Sequence, residues 1–335
     1  MTTVVTLQPG ADALAVRSAL QGLGQWVEPS HGPDGGVAAW TLQPHSAWVA
    51  PEALSGLPGV AAVLRPPSPH PRLSARAGVG VAVGALTLGG GAAPVLAAGP
   101  CAAEDEATVE IIAAAVAAAG GRLLRGGAFK PRTSPYAFAG HGRVALRWLR
   151  EAATRHGLAL VTEAMGEAEV EAVAEVADLV QVGSRNMQNF DLLRRIGATG
   201  RPTLLKRGRS ATLLEWRSAA EHLLAAGASG VVLCERGIAG ADPELRNTLD
   251  LGAVALLRHV DRLAVFVDPS HAAGRRDLVE PLARAALAAG ADGLLVEVHP
   301  NPAQARSDGP QALPFAALAR LGEAVCAASH RGAQP

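Results

Sequence analysis

From Pro94 onward the chain repeats one pattern eight times: a short apolar run, then a stretch long enough for a helix. The runs are Val95 to Ala98, Leu123 to Phe129, Leu158 to Ala164, Leu179 to Gly183, Pro202 to Lys206, Gly230 to Cys234, Leu263 to Val267 and Gly293 to Val298. Strands buried on both faces read as unbroken apolar runs, whereas a strand with one wet face alternates. Eight such β-α units in about 240 residues predict an α/β chain closed into a (β/α)8 TIM barrel. An open doubly wound sheet would carry a G-x-G-x-x-G fingerprint after an early strand, and the sequence has none.

Residues 1–65 follow a different plan. Apolar runs at Thr3 to Leu7, Gln25 to Val27, Val37 to Leu42 and Val60 to Leu64, with helical patterns at Asp12 to Leu23 and Pro51 to Leu57, give the order β-α-β-β-α-β. That is a small α+β, ferredoxin-like domain. Pro66-Pro67-Ser68-Pro69-His70-Pro71 interrupts regular structure, so residues 66–77 read as a linker and 78–335 as the barrel domain. Val79 to Val83 and Ala85 to Leu88 predict a β-hairpin ahead of the first barrel strand.

Composition narrows the function. Aromatic residues make up 3% of the chain, too few for base-stacking platforms, and the formal net charge of zero offers no field to gather nucleic acid or an anionic membrane. Three widely spaced cysteines, Cys101, Cys234 and Cys326, suit a reducing compartment. With no signal-like start and no membrane-length apolar stretch, the expectation is a cytoplasmic protein.

Thirty residues are Lys or Arg, yet only Lys130 and Lys206 are lysine. An ammonium can give up a proton where a guanidinium cannot, so these two positions point to chemistry. In a barrel the site lies at the carboxyl ends of the strands. Those ends carry Cys101, Arg125 with Lys130 and Arg132, Glu163, Arg185, Lys206, Arg236, His271, and Glu297 with Asp308. Cys101, His271, Glu297 and Asp308 offer thiolate, imidazole and carboxylates, a donor set for a divalent first-row metal with an open position. The cations would repel one another unless anions filled the mouth, and arginine forks favour phosphate and carboxylate.

The segments Ala98-Gly99-Pro100-Cys101, Leu124-Arg125-Gly126-Gly127-Ala128-Phe129-Lys130-Pro131-Arg132-Thr133-Ser134-Pro135-Tyr136, Gln181-Val182-Gly183-Ser184-Arg185-Asn186, Leu205-Lys206-Arg207-Gly208, Leu233-Cys234-Glu235-Arg236-Gly237, Asp268-Pro269-Ser270-His271 and Val296-Glu297-Val298-His299-Pro300 with Ser307-Asp308-Gly309 span nearly the whole barrel in order. Here the chain resembles the 3-deoxy-D-arabino-heptulosonate 7-phosphate synthases, in the short-chain subtype with an amino-terminal ferredoxin-like domain. The resemblance implies a transferase for the first step of the shikimate pathway, condensing phosphoenolpyruvate with erythrose 4-phosphate. It implies one divalent metal ion (manganese, iron, cobalt or zinc) on Cys101, His271, Glu297 and Asp308. The phosphoenolpyruvate carboxylate would meet Arg125, Lys130 and Lys206, and its phosphate Arg185 and Arg236 beside Gly183 and Ser184. The phosphate of erythrose 4-phosphate would meet Arg132, Thr133 and Ser134. Lys130 would serve as proton donor, with Glu163 placing the water. A homotetramer, and an aromatic amino acid effector at the amino-terminal domain gating the barrel mouth, also follow from the resemblance.

Three positions depart from the usual family pattern: Ser184 for alanine, Ala139 for glutamine and Arg209 for an apolar residue. Three rivals stay open. The related octulosonate 8-phosphate synthases usually carry Lys-Ala-Asn-Arg where this chain has Lys130-Pro131-Arg132-Thr133-Ser134. The others are an aldolase forming a Schiff base on Lys206 and a barrel that only senses a metabolite.

Overall fold

The structure, a computed structural model, describes residues 3–130, 136 and 138–331, without the side chains of 330 and 331. The chain divides into two compact units, Met1–Pro71 and Arg72–Pro335.

The first unit contains strands β1 (Val4–Leu7), β2 (Val27–His31), β3 (Val37–Leu42) and β4 (Val60–Leu64), with helices Ala13–Gly22 and Pro51–Ser55. The sheet is antiparallel in the order β2-β3-β1-β4, the ferredoxin-like arrangement expected from the sequence. Asp12 starts the first helix where polar sequence turns amphipathic, accepting hydrogen bonds from the Leu14 and Ala15 N–H groups. Val5, Val16, Leu20, Trp40, Leu42, Leu54 and Val60 form the core. Trp40 is buried and Trp26 exposed. Strand β2 lies later than the expected Gln25 to Val27. It is an edge strand that is mostly exposed and holds Pro29, so its sequence lacks both the apolar signal and the requirement for a full hydrogen-bond ladder.

A short helix, Pro71–Ser74, begins at the last residue of the first unit and falls within the stretch expected as a linker, and Leu73 joins the barrel core. Strands β5 (Val81–Val83) and β6 (Leu86–Leu88) form the expected hairpin. Eight parallel strands then close into a barrel: β7 (Val95–Gly99), β8 (Leu123–Arg125), β9 (Ala159–Glu163), β10 (Leu179–Val182), β11 (Thr203–Lys206), β12 (Val231–Glu235), β13 (Val265–Val267) and β14 (Gly293–Glu297). Closure is made by β14 on β7. The run at Leu123 ends as a strand at Arg125 rather than Phe129, because the chain turns through Gly126-Gly127.

Side chains alternate along each strand and divide the core in two. Leu96, Leu124, Leu160, Val180, Leu205, Leu233, Val265 and Leu294 pack outward against the helices. Ala97, Leu123, Val161, Leu179, Leu204, Val232, Phe266 and Leu295 fill the barrel, joined by Val81, Val83 and Leu88 of the hairpin. The hairpin therefore plugs the amino-terminal end of the barrel, and the carboxyl end is left to open on solvent.

Candidate active site

The same two-residue alternation builds the site. Two positions beyond the interior residues Leu123, Val161, Leu204 and Leu295 stand Arg125, Glu163, Lys206 and Glu297. Two beyond Cys234 and Phe266 stand Arg236 and Asp268, and four beyond Ala97 stands Cys101. Parity aims every one of these groups along the barrel axis at the open end. There Cys101, Arg125, Glu163, Lys206 and Arg236 line, with Lys130, Gly183, Ser184, Arg185, His271 and Asp308, a cavity of about 500 Å³, and Glu297 and Asp268 lie buried behind its wall. The cavity thus unites the described sequence-predicted residues except Glu297, which reaches it through its contacts with Arg125 and His271. Arg132, Thr133 and Ser134 lie outside the described residues.

At one wall, ligand atoms of Cys101, Glu297 and Asp308 lie within 4.8 Å of one another. Cys101 Sγ is 3.0 Å from Asp308 Oδ2 and 3.1 Å from Ser307 Oγ. Burial pushes the Cys101 thiol up to about 12, reinforced by the Glu297 and Asp308 charges. Asp308 adopts a left-handed backbone (φ 53°), which aspartate tolerates better than most residues and which turns its carboxylate back toward β7. His271 falls outside the tight trio, with Nε2 3.5 Å from Glu297 Oε1. This is a thiol, two carboxylates and an adjacent imidazole. The donor set fits a divalent first-row cation, and a cation would relieve the repulsion among its anions.

Groups the sequence reading left without a role hold this wall in place. Asp268 Oδ2 accepts from Lys206 Nζ at 2.5 Å and pairs with His271 Nδ1 at 2.7 Å. With Nδ1 committed to Asp268, Nε2 is the ring nitrogen left to face Glu297 and the metal side. Burial opposes the Asp268 charge, but His271 and Lys206 overcome it and hold the carboxyl well below the ordinary range. Glu297 behaves similarly: burial raises it, His271 and Arg125 outweigh burial, and it settles at about 2. Arg125 Nη1 donates to Glu297 Oε1 at 2.8 Å and to the Pro100 carbonyl at 3.1 Å, while Gln311 Nε2 donates to Glu297 Oε2 at 2.6 Å.

Opposite this wall, positive charge is in excess. Arg125 and Lys206 have carboxylate partners, whereas Lys130, Arg185 and Arg236 form no ion pair among the described residues. Arg236 is 5% exposed and bonds only the Gly237 carbonyl, at 3.3 Å. Its pKa is lowered, foremost by burial and further by repulsion from Arg246 and Arg209, against the pull of Asp268. A buried guanidinium in that state is a ready-made anion receptor. Lys130 crosses Gly127, where a Cβ would also meet the Cys101 backbone carbonyl at 2.7 Å, and that fixed contact explains the glycine in the Gly126-Gly127 turn. Glu163 crosses Gly183 in the same way and accepts from Gln181 Nε2 at 2.9 Å. His299 stays outside the cavity, bonded to the Asn301 carbonyl at 2.7 Å.

Behind the site, buried Arg207 donates to Glu235 at 3.0 Å and Asp250 at 2.9 Å, and Glu235 accepts from the Gly237 N–H at 2.7 Å. Burial raises Glu235, although Arg207 opposes the shift. The pair fixes the backbone that carries Arg236.

A phospho-2-dehydro-3-deoxyheptonate aldolase of Thermotoga maritima is 46% identical over 208 residues, which cover 62% of this chain and 61% of that protein's length. A 2-dehydro-3-deoxyphosphooctonate aldolase of Syntrophotalea carbinolica is 33% identical over 61% of this chain and 79% of its own. The crystal structure of the phospho-2-dehydro-3-deoxyheptonate aldolase (DAHP synthase) from Thermotoga maritima superposes with a TM-score of 0.74 and 38% identity, covering 96% of this chain and 95% of that one. The match to the DAHP synthetase I family extends over residues 75–331, the helices and strands that form the barrel, and the chain belongs to that family.

Proposed function

We propose that the protein condenses phosphoenolpyruvate with erythrose 4-phosphate to give 3-deoxy-D-arabino-heptulosonate 7-phosphate and phosphate. One observation carries the reading: a donor trio within 4.8 Å, two of whose members (Cys101 and Asp308) line the cavity, stands in the same cavity as cations without an ion pair among the described residues, one of them a buried arginine. Such a cavity suits two phosphorylated molecules that would otherwise repel each other.

Cys101, Glu297 and Asp308, with His271 beside them, would hold the divalent ion, whose chemistry when bound is to polarise an aldehyde carbonyl. Arg125, Lys206 and Lys130 bind the carboxylate of phosphoenolpyruvate, and Arg185 and Arg236 its phosphate. This fixes C3 of the enol ester against the aldehyde carbon and turns an encounter of two anions into a positioned reaction. The C3–C1 bond forms and the aldehyde oxygen takes a proton from Lys130 Nζ; water adds at C2, giving up a proton that restores the Lys130 ammonium, and the C2–O bond to phosphate breaks as the new hydroxyl becomes the ketone and its proton leaves with the phosphate. Arginine's high pKa bars it from the donor's role. Glu163, anchored by Gln181, orients the water. Arg132, Thr133 and Ser134 receive the sugar phosphate. Lys130→Arg is expected to keep phosphoenolpyruvate binding while turnover falls by about two to four orders of magnitude; near-normal turnover would remove the acid role.

The amino-terminal unit serves as a regulatory module for an aromatic amino acid, in a homotetramer. Titrating tyrosine and phenylalanine against activity, with and without residues 1–71, tests the first, and light scattering the second. Phosphate release on mixing the purified protein with phosphoenolpyruvate and erythrose 4-phosphate tests the reaction itself, with arabinose 5-phosphate as the competing aldehyde. Preference for the five-carbon sugar would move the protein to the octulosonate branch. Borohydride trapping on Lys206, with activity indifferent to chelator, would indicate a Schiff-base aldolase.

A further inference from the structure

The cavity contains two cations for which the reaction above has no use, Arg209 and Arg246. Arg209 follows β11 by three residues, exposed on the cavity wall. It is not loose. Its carbonyl accepts from the Ala239 N–H at 2.7 Å and its Nε donates to Asn247 Oδ1 at 3.0 Å. Asn247 is 4% exposed and fixed in turn, its Nδ2 donating to the His271 carbonyl at 2.8 Å and its N–H to the Ala272 carbonyl at 3.1 Å. Held through Nε, the guanidinium keeps both Nη groups free of partners among the described residues. Arg246, nearby, is already engaged by Gln311 and by Asp308 at 3.6 Å. Arg209 and Arg236 therefore line the same cavity, and neither forms an ion pair among the described residues. Two guanidiniums in that relation fit one multiply charged oxyanion.

Strand order selects which anion. Neighbours around the barrel run from β7 to β14, so β8 and β12 face each other across the axis. The residues expected to hold the sugar phosphate follow β8. Arg209 follows β11, between Arg185 after β10 and Arg236 after β12.

We propose that Arg209 is a third guanidinium on the phosphoryl group of phosphoenolpyruvate and on the inorganic phosphate that it becomes, setting the affinity of this chain for both. The proposal deepens the functional reading and rests on it. In the full-length protein, Arg209→Met is expected to weaken inorganic phosphate, as titrant in calorimetry and as product inhibitor, by roughly 5- to 30-fold. The KM for phosphoenolpyruvate rises by a similar factor, while kcat and the KM for erythrose 4-phosphate stay within about twofold, and Arg209→Lys recovers part of the loss. A purely structural role would not separate the two KM values in this way. Unchanged phosphate affinity overturns the proposal, as does a rise confined to the KM for erythrose 4-phosphate. Absence of turnover in the unmodified protein would instead remove the functional reading, and the calorimetric titration would still decide whether Arg209 holds phosphate.

Discussion

Metal uptake by the Cys101, Glu297 and Asp308 group is expected to strengthen tenfold for each unit of pH, one proton leaving for each ion bound. The proton is that of Cys101. Burial and the flanking carboxylates push its thiol up to about 12, so at pH 7.5 deprotonation costs about 6 kcal/mol, taking 1.36 kcal/mol per pH unit over a gap of about 4.5. Formation of a metal–thiolate bond must exceed that cost. Lowering the pH tightens the proton's hold, so affinity falls, and the slope of log K against pH is +1 until the solution approaches the thiol's own pKa. Glu297, held at about 2, is already ionised throughout and adds no slope. Competition against a chelator of known affinity gives the slope, calorimetry in two buffers of different ionisation enthalpy counts the protons, and Co²⁺ reports the thiolate by its near-ultraviolet charge-transfer band. Cys101→Ser should abolish both band and slope. A pH-independent affinity in the unmodified protein, with the thiolate band present, would refute the reasoning.

Asp268→Asn strips the buried Lys206 ammonium of its counter-ion and His271 of its orienting carboxylate. A loss of about 3–5 kcal/mol in stability follows, visible as a lower melting temperature, together with metal binding weakened about 10- to 100-fold; a variant unchanged in both would disprove the bridge. Gly293→Ala places a Cβ 2.4 Å from the Phe266 ring at the heart of the barrel. Urea denaturation should show a destabilisation of about 1–3 kcal/mol, partly restored by Phe266→Leu, and wild-type stability would mean that the ring has room to yield.

What the sequence makes legible follows from range. The barrel strands are continuous apolar runs because both their faces are buried, so each of the eight is visible by itself, and their carboxyl ends point to Cys101, Arg125, Lys206, Arg236 and Glu297 without a contact map. Strand β2 is hidden for the converse reason: at a sheet edge, Val27–His31 has little to bury and tolerates a proline. The partners of the site residues are hidden too. Asp268 meets Lys206 across 62 residues, Gln311 reaches Glu297 from a later loop, and Asn247 seizes Arg209 from the loop after the next strand. No local spacing encodes such pairs; closure of the barrel brings them together. One signal was available for Asp268, since an acidic residue at the end of an apolar strand, three before a histidine, has reason to orient that ring. Arg209 was visible only as a departure from the family pattern, and its meaning depends on the unpaired Arg236 beside it.

In the proposed reaction a divalent ion and the phosphate-binding cations work from one cavity. Crystals grown with Mn²⁺ and phosphoenolpyruvate test this in a single anomalous difference map. One strong peak is expected, enclosed by Cys101, His271, Glu297 and Asp308, with the ligand's carboxylate toward Arg125 and Lys206 and its phosphate on Arg185 and Arg236. A peak elsewhere, or the ligand's phosphate bound away from Arg236, would contradict it.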